Sequence, residues 1–378
     1  WKIVDLLECR KELDGIDRQI VELFEKRMEI CGHVAESKLA SGKAVYDGER
    51  ERQKLEAVEA MAHGDFNRTA VTELFSQMMT ISRRYQYKLL EEGGKSEDLG
   101  FRRVEGLPAK GARIVYQGVE GAYSHGAALQ YFGEEADVYH VEHFGDAMEE
   151  VQAGRADFAV LPIENSSAGA VVDLYDILTR YSNSIVAETF LPVNHALLGT
   201  AEAEEEQIKT VYSHPQALMQ SSEYLNSHRD WKQISMENTA VAARKVLEDG
   251  DPTQAAVASE IAGRLYGLKV LKPSIQNNKG NTTRFVILAR EQVYRRDAGK
   301  ISICFELPHR SGTLYNILGH FIFNHVNMVM IESRPIPGRN WEYRFFVDIE
   351  GNLEDAAVKN ALKGIGAEAL NLRILGNY

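Results

Sequence analysis

The feature that most constrains this chain is one apolar stripe. From Ile3 to Leu39, the residues Leu6, Leu13, Ile20, Phe24, Cys31 and Val34 recur at three-, four- and seven-residue steps, the spacing of a single long amphipathic helix. At 1.5 Å per residue, ~38 residues run about 57 Å, longer than a unit of about 90 residues covers by itself. A partner helix is required, and the interlocked helices of a homodimer are the economical solution, because symmetric pairing buries the exposed half of the stripe. Cations interrupt it. Arg27 lies seven residues from both Ile20 and Val34, Lys38 seven beyond Cys31, and Arg10 near the edge, whereas Lys11, Arg18 and Lys26 fall on the other side. A cation facing a core is costly unless an anion meets it, so three together predict a cavity for an anionic ligand. Snorkelling, or an ion pair with Asp17 or Glu51, is the structural alternative.

At 378 residues, two or three domains are expected. Residues 1–90 hold 15 Lys/Arg against 16 Asp/Glu in a chain of net charge −12, which argues against nucleic-acid binding by this segment. Cys9, Cys31 and Cys304 are odd in number and widely spaced; neither a disulfide framework nor a zinc site follows. No apolar run approaches ~20 residues and no signal-peptide pattern opens the chain, so a cytoplasmic protein without membrane partners is expected.

The pattern predicts further helices from about Gly48 to Ala62 and Thr69 to Leu90, then a linker over 91–111 that holds Gly93-Gly94 and Pro108. From Arg113, β-rich runs at Ile114–Gln117, Phe158–Leu161, Thr210–Ser213, Ala255–Ala258 and Phe285–Leu288 alternate with helical stretches. This predicts an α/β domain with mainly parallel sheets, divisible into two lobes around a cleft. From Lys300 the order reads βαββαβ, the ferredoxin-like plan.

Polar clusters sit at strand ends. Phe158–Leu161 runs into Pro162-Ile163-Glu164-Asn165-Ser166-Ser167-Ala168-Gly169, with a helix cap and turn as the bland reading. Ser213-His214-Pro215-Gln216 follows another strand, and Asn281-Thr282-Thr283-Arg284-Phe285 precedes the next. Gly118-Val119-Glu120-Gly121-Ala122-Tyr123-Ser124 alone is a weak phosphate-loop signal. His140 and His143 lack a third ligand and read as surface residues. Ser213 and His214 are adjacent and cannot form a nucleophile–base contact unaided; the cysteines read as core fillers. On the third and second helices, Ser82 and Gln86 share a face, and Arg50 and Glu51 lie beyond the turn that brings the second helix back.

The set Arg10, Arg27, Lys38, Asp47, Arg50, Glu51, Ser82 and Gln86 resembles the all-helical chorismate mutases, over about 85 residues. Chorismate is a dicarboxylate that rearranges to prephenate through a pericyclic transition state, which needs confinement and positive charge rather than a nucleophile. The resemblance implies that Arg27 and a partner-chain Arg10 clamp carboxylates, Lys38 and Gln86 bond the ether oxygen, and Glu51 takes the ring hydroxyl. Arg50, Asp47 and Ser82 are implied orienters, with a helix cap or surface role the alternative for Asp47 and Ser82.

The four central motifs resemble prephenate dehydratase over about residues 112–290, with Val119 and Ala122 where the family has Pro and Thr. A two-lobed, periplasmic-binding-protein-like α/β domain follows, converting prephenate to phenylpyruvate without metal or organic cofactor. Thr283 is the implied proton donor, backed by Glu164. Asn165, Ser213 and Gln220 would orient substrate, and Arg284 would hold a carboxylate or pack structurally. Ser311-Gly312-Thr313-Leu314 and Ile331-Glu332-Ser333-Arg334-Pro335 resemble the ACT regulatory domain, which implies phenylalanine feedback at a dimer interface through Gly312, Thr313, Leu314, Glu332, Ser333 and Arg334, with Trp341 alongside. The chain is expected to divide at 1–90, 91–111, 112–290 and 299–378. The rival readings are a ligand-sensing transcription regulator, disfavoured by the charge balance and the absence of a short helix-turn-helix pattern, and a solute-binding protein, which should carry an export signal.

Overall fold

A computed structural model describes residues 5–92 and 99–378. The expected start of the first helix at Ile3 and the Gly93-Gly94 pair lie outside the described residues. Helix α1 (Leu6–Ser41) is capped by Asp5, whose side chain accepts from the Leu7 N–H, and ends at Gly42 in the left-handed region, where glycine is unstrained. Helix α2 (Gly48–Met61) is capped by Asp47. Helix α3 (Asp65–Glu92) begins four residues before the expected Thr69 and packs on both. Helix α1 is covered in part, and only in its second half, where Ile30 and Val34 are still exposed. Leu6, Leu13 and Ile20 are 64%, 56% and 56% exposed, whereas Ala35 is buried.

The expected linker is partly strand: β1 (Arg102–Val104) runs parallel to a strand near residue 293. The α/β region then follows as β2 (Arg113–Gln117), α4 (Tyr123–Phe132), β3 (Asp137–Val141), α5 (Phe144–Gln152), β4 (Phe158–Asn165), β5 (Gly169–Ala170), α6 (Val172–Leu178), β6 (Ser184–Pro192) and β7 (Ala196–Gly199). It continues through β8 (Thr210–Ser213), α7 (Pro215–Gln220), α8 (Ser222–Asn226), β9 (Lys232–Ser235), α9 (Thr239–Asp249), β10 (Gln254–Ala258), α10 (Glu260–Tyr266), β11 (Lys269–Lys272), β12 (Thr282–Ala289) and β13 (Val293–Arg295). The helical stretch after β8 is broken at Ser221 into α7 and α8.

Two lobes result, one on the β2–β3–β4–β6–β12 strands and one on a five-stranded sheet ordered β11-β7-β10-β8-β9. The sheets are mixed rather than mainly parallel. The β2–β3, β2–β4, β8–β9 and β8–β10 pairs are parallel, but β4–β12, β6–β12, β7–β10 and β7–β11 are antiparallel. The reason is the path of the chain, which crosses between lobes from β6 to β7 and returns from β11 to β12, inserting reversed strands in each sheet.

The C-terminal segment is β14 (Lys300–Glu306), α11 (Thr313–Phe323), β15 (Met328–Pro335), β16 (Tyr343–Glu350), α12 (Ala356–Glu368) and β17 (Leu370–Asn377), the βαββαβ order read from the sequence. Its antiparallel sheet runs β15-β16-β14-β17 and joins the first lobe through one parallel pairing, Gly376 against Ile185. A Cβ at Gly376 would collide with the Ile185 carbonyl, so glycine is required for this close approach. The apolar core runs through the joint, where Tyr175 packs edge-on against Phe346 and Tyr378 is buried.

Candidate active sites

In the helical segment, the stripe cations Arg27 and Lys38 are half-buried. Arg27 Nη1 donates to the Ser82 hydroxyl and, at 3.3 Å, to the Met78 carbonyl. Lys38 Nζ donates to the Val45 carbonyl at 2.6 Å. Among the described residues neither forms an ion pair with a carboxylate, so the Asp17 or Glu51 alternative is not what holds them. Burial lowers the Lys38 pKa from the ordinary lysine value, although the charges of Asp47 and Glu51 oppose the shift.

The other helical candidates differ in their surroundings. Gln86 is buried, one turn beyond Ser82, and its side-chain oxygen has no partner among the described residues. Ser82 is engaged by Arg27 and donates to Met78 O at 2.7 Å. Asp47 is the cap of α2 and accepts from the Arg50 N–H at 3.0 Å; the side chains of both are exposed, so the cap reading holds for Asp47. Arg10 is exposed on the uncovered half of α1. Glu51 is not free: both of its oxygens lie 2.5 Å from Arg83 Nη1. Arg83 has no place in the sequence reading, since a charge on an amphipathic helix reads as solvated; the Arg83-Arg84 pair beside Ser82 and Gln86 was the available signal.

The second site forms where β4 and β12 end together. Asn165 pairs with Thr283 and Glu164 with Arg284 in the antiparallel ladder. Asn165 Nδ2 donates to Thr283 Oγ1 at 2.9 Å, while Asn165 Oδ1 accepts from the Ser167 and Ala168 N–H groups at 3.0 and 2.9 Å. The amide is therefore locked by its own turn, and Asn165 orients Thr283 instead of standing free for substrate. Thr283 Oγ1 accepts there and donates to no acceptor among the described residues, so its proton is available to a ligand.

Successive side chains in a strand point to opposite faces. Glu164 therefore shares the face of Arg284, 3.8 Å away, and not that of Thr283. The expected backing of Thr283 by Glu164 is replaced by Asn165. Arg284 is 7% exposed and pairs with Glu188 and Asp348, each at 2.7 Å, and with the Tyr378 hydroxyl at 2.7 Å. Its hydrogen-bonding groups face carboxylates from β6 and β16.

Two further candidates are engaged within the chain. Ser213 is fully buried and donates to the Val257 carbonyl at 2.5 Å, because a hydroxyl between β8 and β10 must be satisfied internally. Gln220 is held by His195, with Oε1 2.9 Å from Nε2. His195 is buried, its Nδ1 lies 3.0 Å from the Tyr123 hydroxyl, and it sits on the crossing from β6 to β7. Burial pushes its pKa below the ordinary histidine value against the raising effect of Gln220. The Asn194-His195 pair at a strand exit was its only signal in the sequence. The Gly118–Ser124 loop bridges the lobes: Gly121 O accepts from Ser259 and Glu120 O from Tyr266.

In the C-terminal segment, Gly312 starts α11 in the left-handed region. Thr313 Oγ1 lies 3.2 and 3.1 Å from the Pro308 and Arg310 carbonyls, and Leu314 is half-buried. Glu332 and Ser333 lie on opposite faces of the edge strand β15. Arg334 reaches across to α6, where its Nε and Nη2 donate to Asp176 at 2.9 and 2.8 Å. It thereby ties β15 to α6. No hydrogen bond or ion pair joins residues 312–314 to 332–334 among the described residues.

Comparison with known proteins places each of the two regions in a family. The chorismate mutase type II family matches residues 9–87, and the prephenate dehydratase family matches residues 114–293. The bifunctional chorismate mutase/prephenate dehydratase of Escherichia coli is 35% identical over 378 residues, covering 99% of this chain and 96% of that protein. Among solved structures, the prephenate dehydratase of Arthrobacter aurescens in complex with L-Phe is 30% identical, with a TM-score of 0.66 over 70% of this chain and 89% of that one. GqqA, described as a novel type of quorum-quenching acylase, is 31% identical with a TM-score of 0.66 over 70% of this chain and 97% of its own. A helical segment joined to a two-lobed α/β unit unites the folds of two enzyme families in one chain. The chain belongs to the family of bifunctional chorismate mutases/prephenate dehydratases.

Proposed function

We propose that residues 1–90 form the mutase domain, 112–290 the dehydratase domain, with 91–111 between them, and 299–378 an ACT domain that binds phenylalanine. The chain rearranges chorismate to prephenate and converts prephenate to phenylpyruvate. The observation that carries the reading is the pair of inward cations, Arg27 and Lys38, left without a carboxylate partner among the described residues. A dicarboxylate supplies the missing anion, and Lys38 with Gln86 would stabilise negative charge on the breaking ether bond. A second copy of the chain would cover Leu6, Leu13 and Ile20 and bring Arg10 to its partner's pocket. A cytoplasmic enzyme fits this biosynthetic role; no helix of the described residues is long and apolar enough to cross a membrane.

At the second site, loss of the ring hydroxyl with carbon dioxide aromatises the ring, which supplies the driving force. The Thr283 hydroxyl, its acceptor position occupied by Asn165, donates its hydrogen bond to the departing oxygen. Amide hydrolysis of the acylase kind needs a nucleophile paired with a base. The one side chain hydrogen-bonded to Thr283 Oγ1 among the described residues is the Asn165 amide, which is no base. The test is to give purified protein chorismate and follow prephenate and phenylpyruvate separately. Prephenate should rise first and phenylpyruvate after a lag, and phenylalanine should slow the second product. Absence of prephenate from chorismate would refute the mutase assignment.

A further inference from the structure

Helix α3 meets the C-terminal helices α11 and α12 along a charged seam. At its centre, Arg83 is 5% exposed and every guanidinium nitrogen has a partner. Nη1 donates to both Glu51 oxygens at 2.5 Å, Nη2 to Thr80 Oγ1 at 3.1 Å, and Nε to Glu368 Oε1 at 2.9 Å. Glu368 closes α12, and the same oxygen lies 3.0 Å from His320 Nε2 on α11. Burial alone would push Glu368 up, but the His320 hydrogen bond and the Arg83 charge hold it below the usual carboxylate range. The seam is closely built: a Cβ at Gly364 would strike the His320 ring, and one at Gly319 the Arg84 guanidinium.

Arg83 is thus held in plane by three partners, one of which is the carboxylate assigned to the substrate's ring hydroxyl. A carboxylate offers about four acceptor positions, so Glu51 can receive that hydroxyl while it is gripped from behind. We propose that Arg83 is a positioning residue of the mutase reaction, that it orients Glu51, and that Glu368 of the C-terminal segment holds Arg83 in place. The C-terminal segment thereby completes the mutase site. The inference rests on the reading of the helical pocket as that site.

The test is mutase turnover of the full-length chain carrying Arg83→Met, Arg83→Lys or Glu368→Gln, each with Glu51 present and with Glu51→Gln. Misplacement of a reacting group by about 1 Å costs on the order of 100-fold, so Arg83→Met should lower kcat/KM for chorismate by roughly 10- to 100-fold and Arg83→Lys by less. Loss of one charge-assisted bond at Glu368 should cost roughly three- to tenfold. With Glu51→Gln in place, each further loss should shrink to within about twofold, as expected of groups acting through one another. Turnover of prephenate by the same samples reports that the chain is folded; if Arg83→Met fails there, Arg83→Lys and Glu368→Gln carry the test. Equal losses in both backgrounds, or no loss, would overturn the proposal. Unchanged mutase turnover in Glu51→Gln alone would overturn the reading of the pocket, and is told apart because Arg83 is intact.

Discussion

Asn165 Nδ2 stands 2.9 Å from Thr283 Oγ1, across one rung of the ladder between β4 and β12. The two backbone N–H groups on Asn165 Oδ1 fix which end of the amide faces the threonine. In the proposed dehydratase site, the turn from Asn165 to Ala168 thus fixes the group that Thr283 Oγ1 accepts from.

Asn165→Ala removes that constraint while leaving Thr283 in place. Prephenate turnover is expected to fall about 10- to 100-fold, with chorismate turnover unchanged. Steady-state assays of both reactions on one preparation check this. An unchanged dehydratase rate would show that Thr283 needs no fixing.

Lys38 must carry its proton to stabilise the ether oxygen. Because burial lowers its pKa against the pull of Asp47 and Glu51, the ammonium is present below that pKa and lost as pH rises through it. The mutase rate should therefore decline on the alkaline side at a pH below the ordinary lysine value of 10.5. A pH profile of kcat/KM for chorismate shows the limb, or its absence.

Gly376→Ala places a methyl group against the Ile185 carbonyl at the one rung that joins β17 to β6. Overpacking of this kind costs about 1–3 kcal/mol. Urea unfolding should show a lower midpoint, and an unchanged midpoint would mean the joint yields without cost.

His195 and His125 are both held below the ordinary histidine value of 6.5, chiefly by burial. Below that pH the unfolded chain binds protons that the folded chain refuses, so stability falls as pH drops from about 6.5 toward the lowered values. His195→Gln should flatten part of this slope in unfolding curves taken between neutral and mildly acidic pH. A slope identical to the parent's would contradict the assignment.

Much of this arrangement is legible in the sequence where local pattern decides. The periodicity of α1, the Asp47 cap and the βαββαβ order from Lys300 are set by residues near one another in the chain. The reversed directions of β7 and β12 are not legible, because they follow from the crossing between lobes. Nor are the carboxylate partners of Arg83 and Arg284 or the histidine partner of Gln220, all 25 or more positions away. Arg27 and Lys38 stand out because a cation on an apolar stripe is anomalous at any distance. Arg83 does not, since an arginine in a polar neighbourhood carries no such signal until its partners are seen, and Arg284 stands out only through the motif it shares with Thr283.

In the proposed function two separate sites act in sequence, the second consuming the product of the first. Its most direct test is product analysis with chorismate for Lys38→Ala and Thr283→Ala beside the parent protein. Thr283→Ala should convert chorismate to prephenate at the parent rate and accumulate it, with phenylpyruvate formation down by about 100-fold or more. Lys38→Ala should fail on chorismate yet process added prephenate normally. Loss of both activities in both variants, or undiminished phenylpyruvate from Thr283→Ala, would contradict the account.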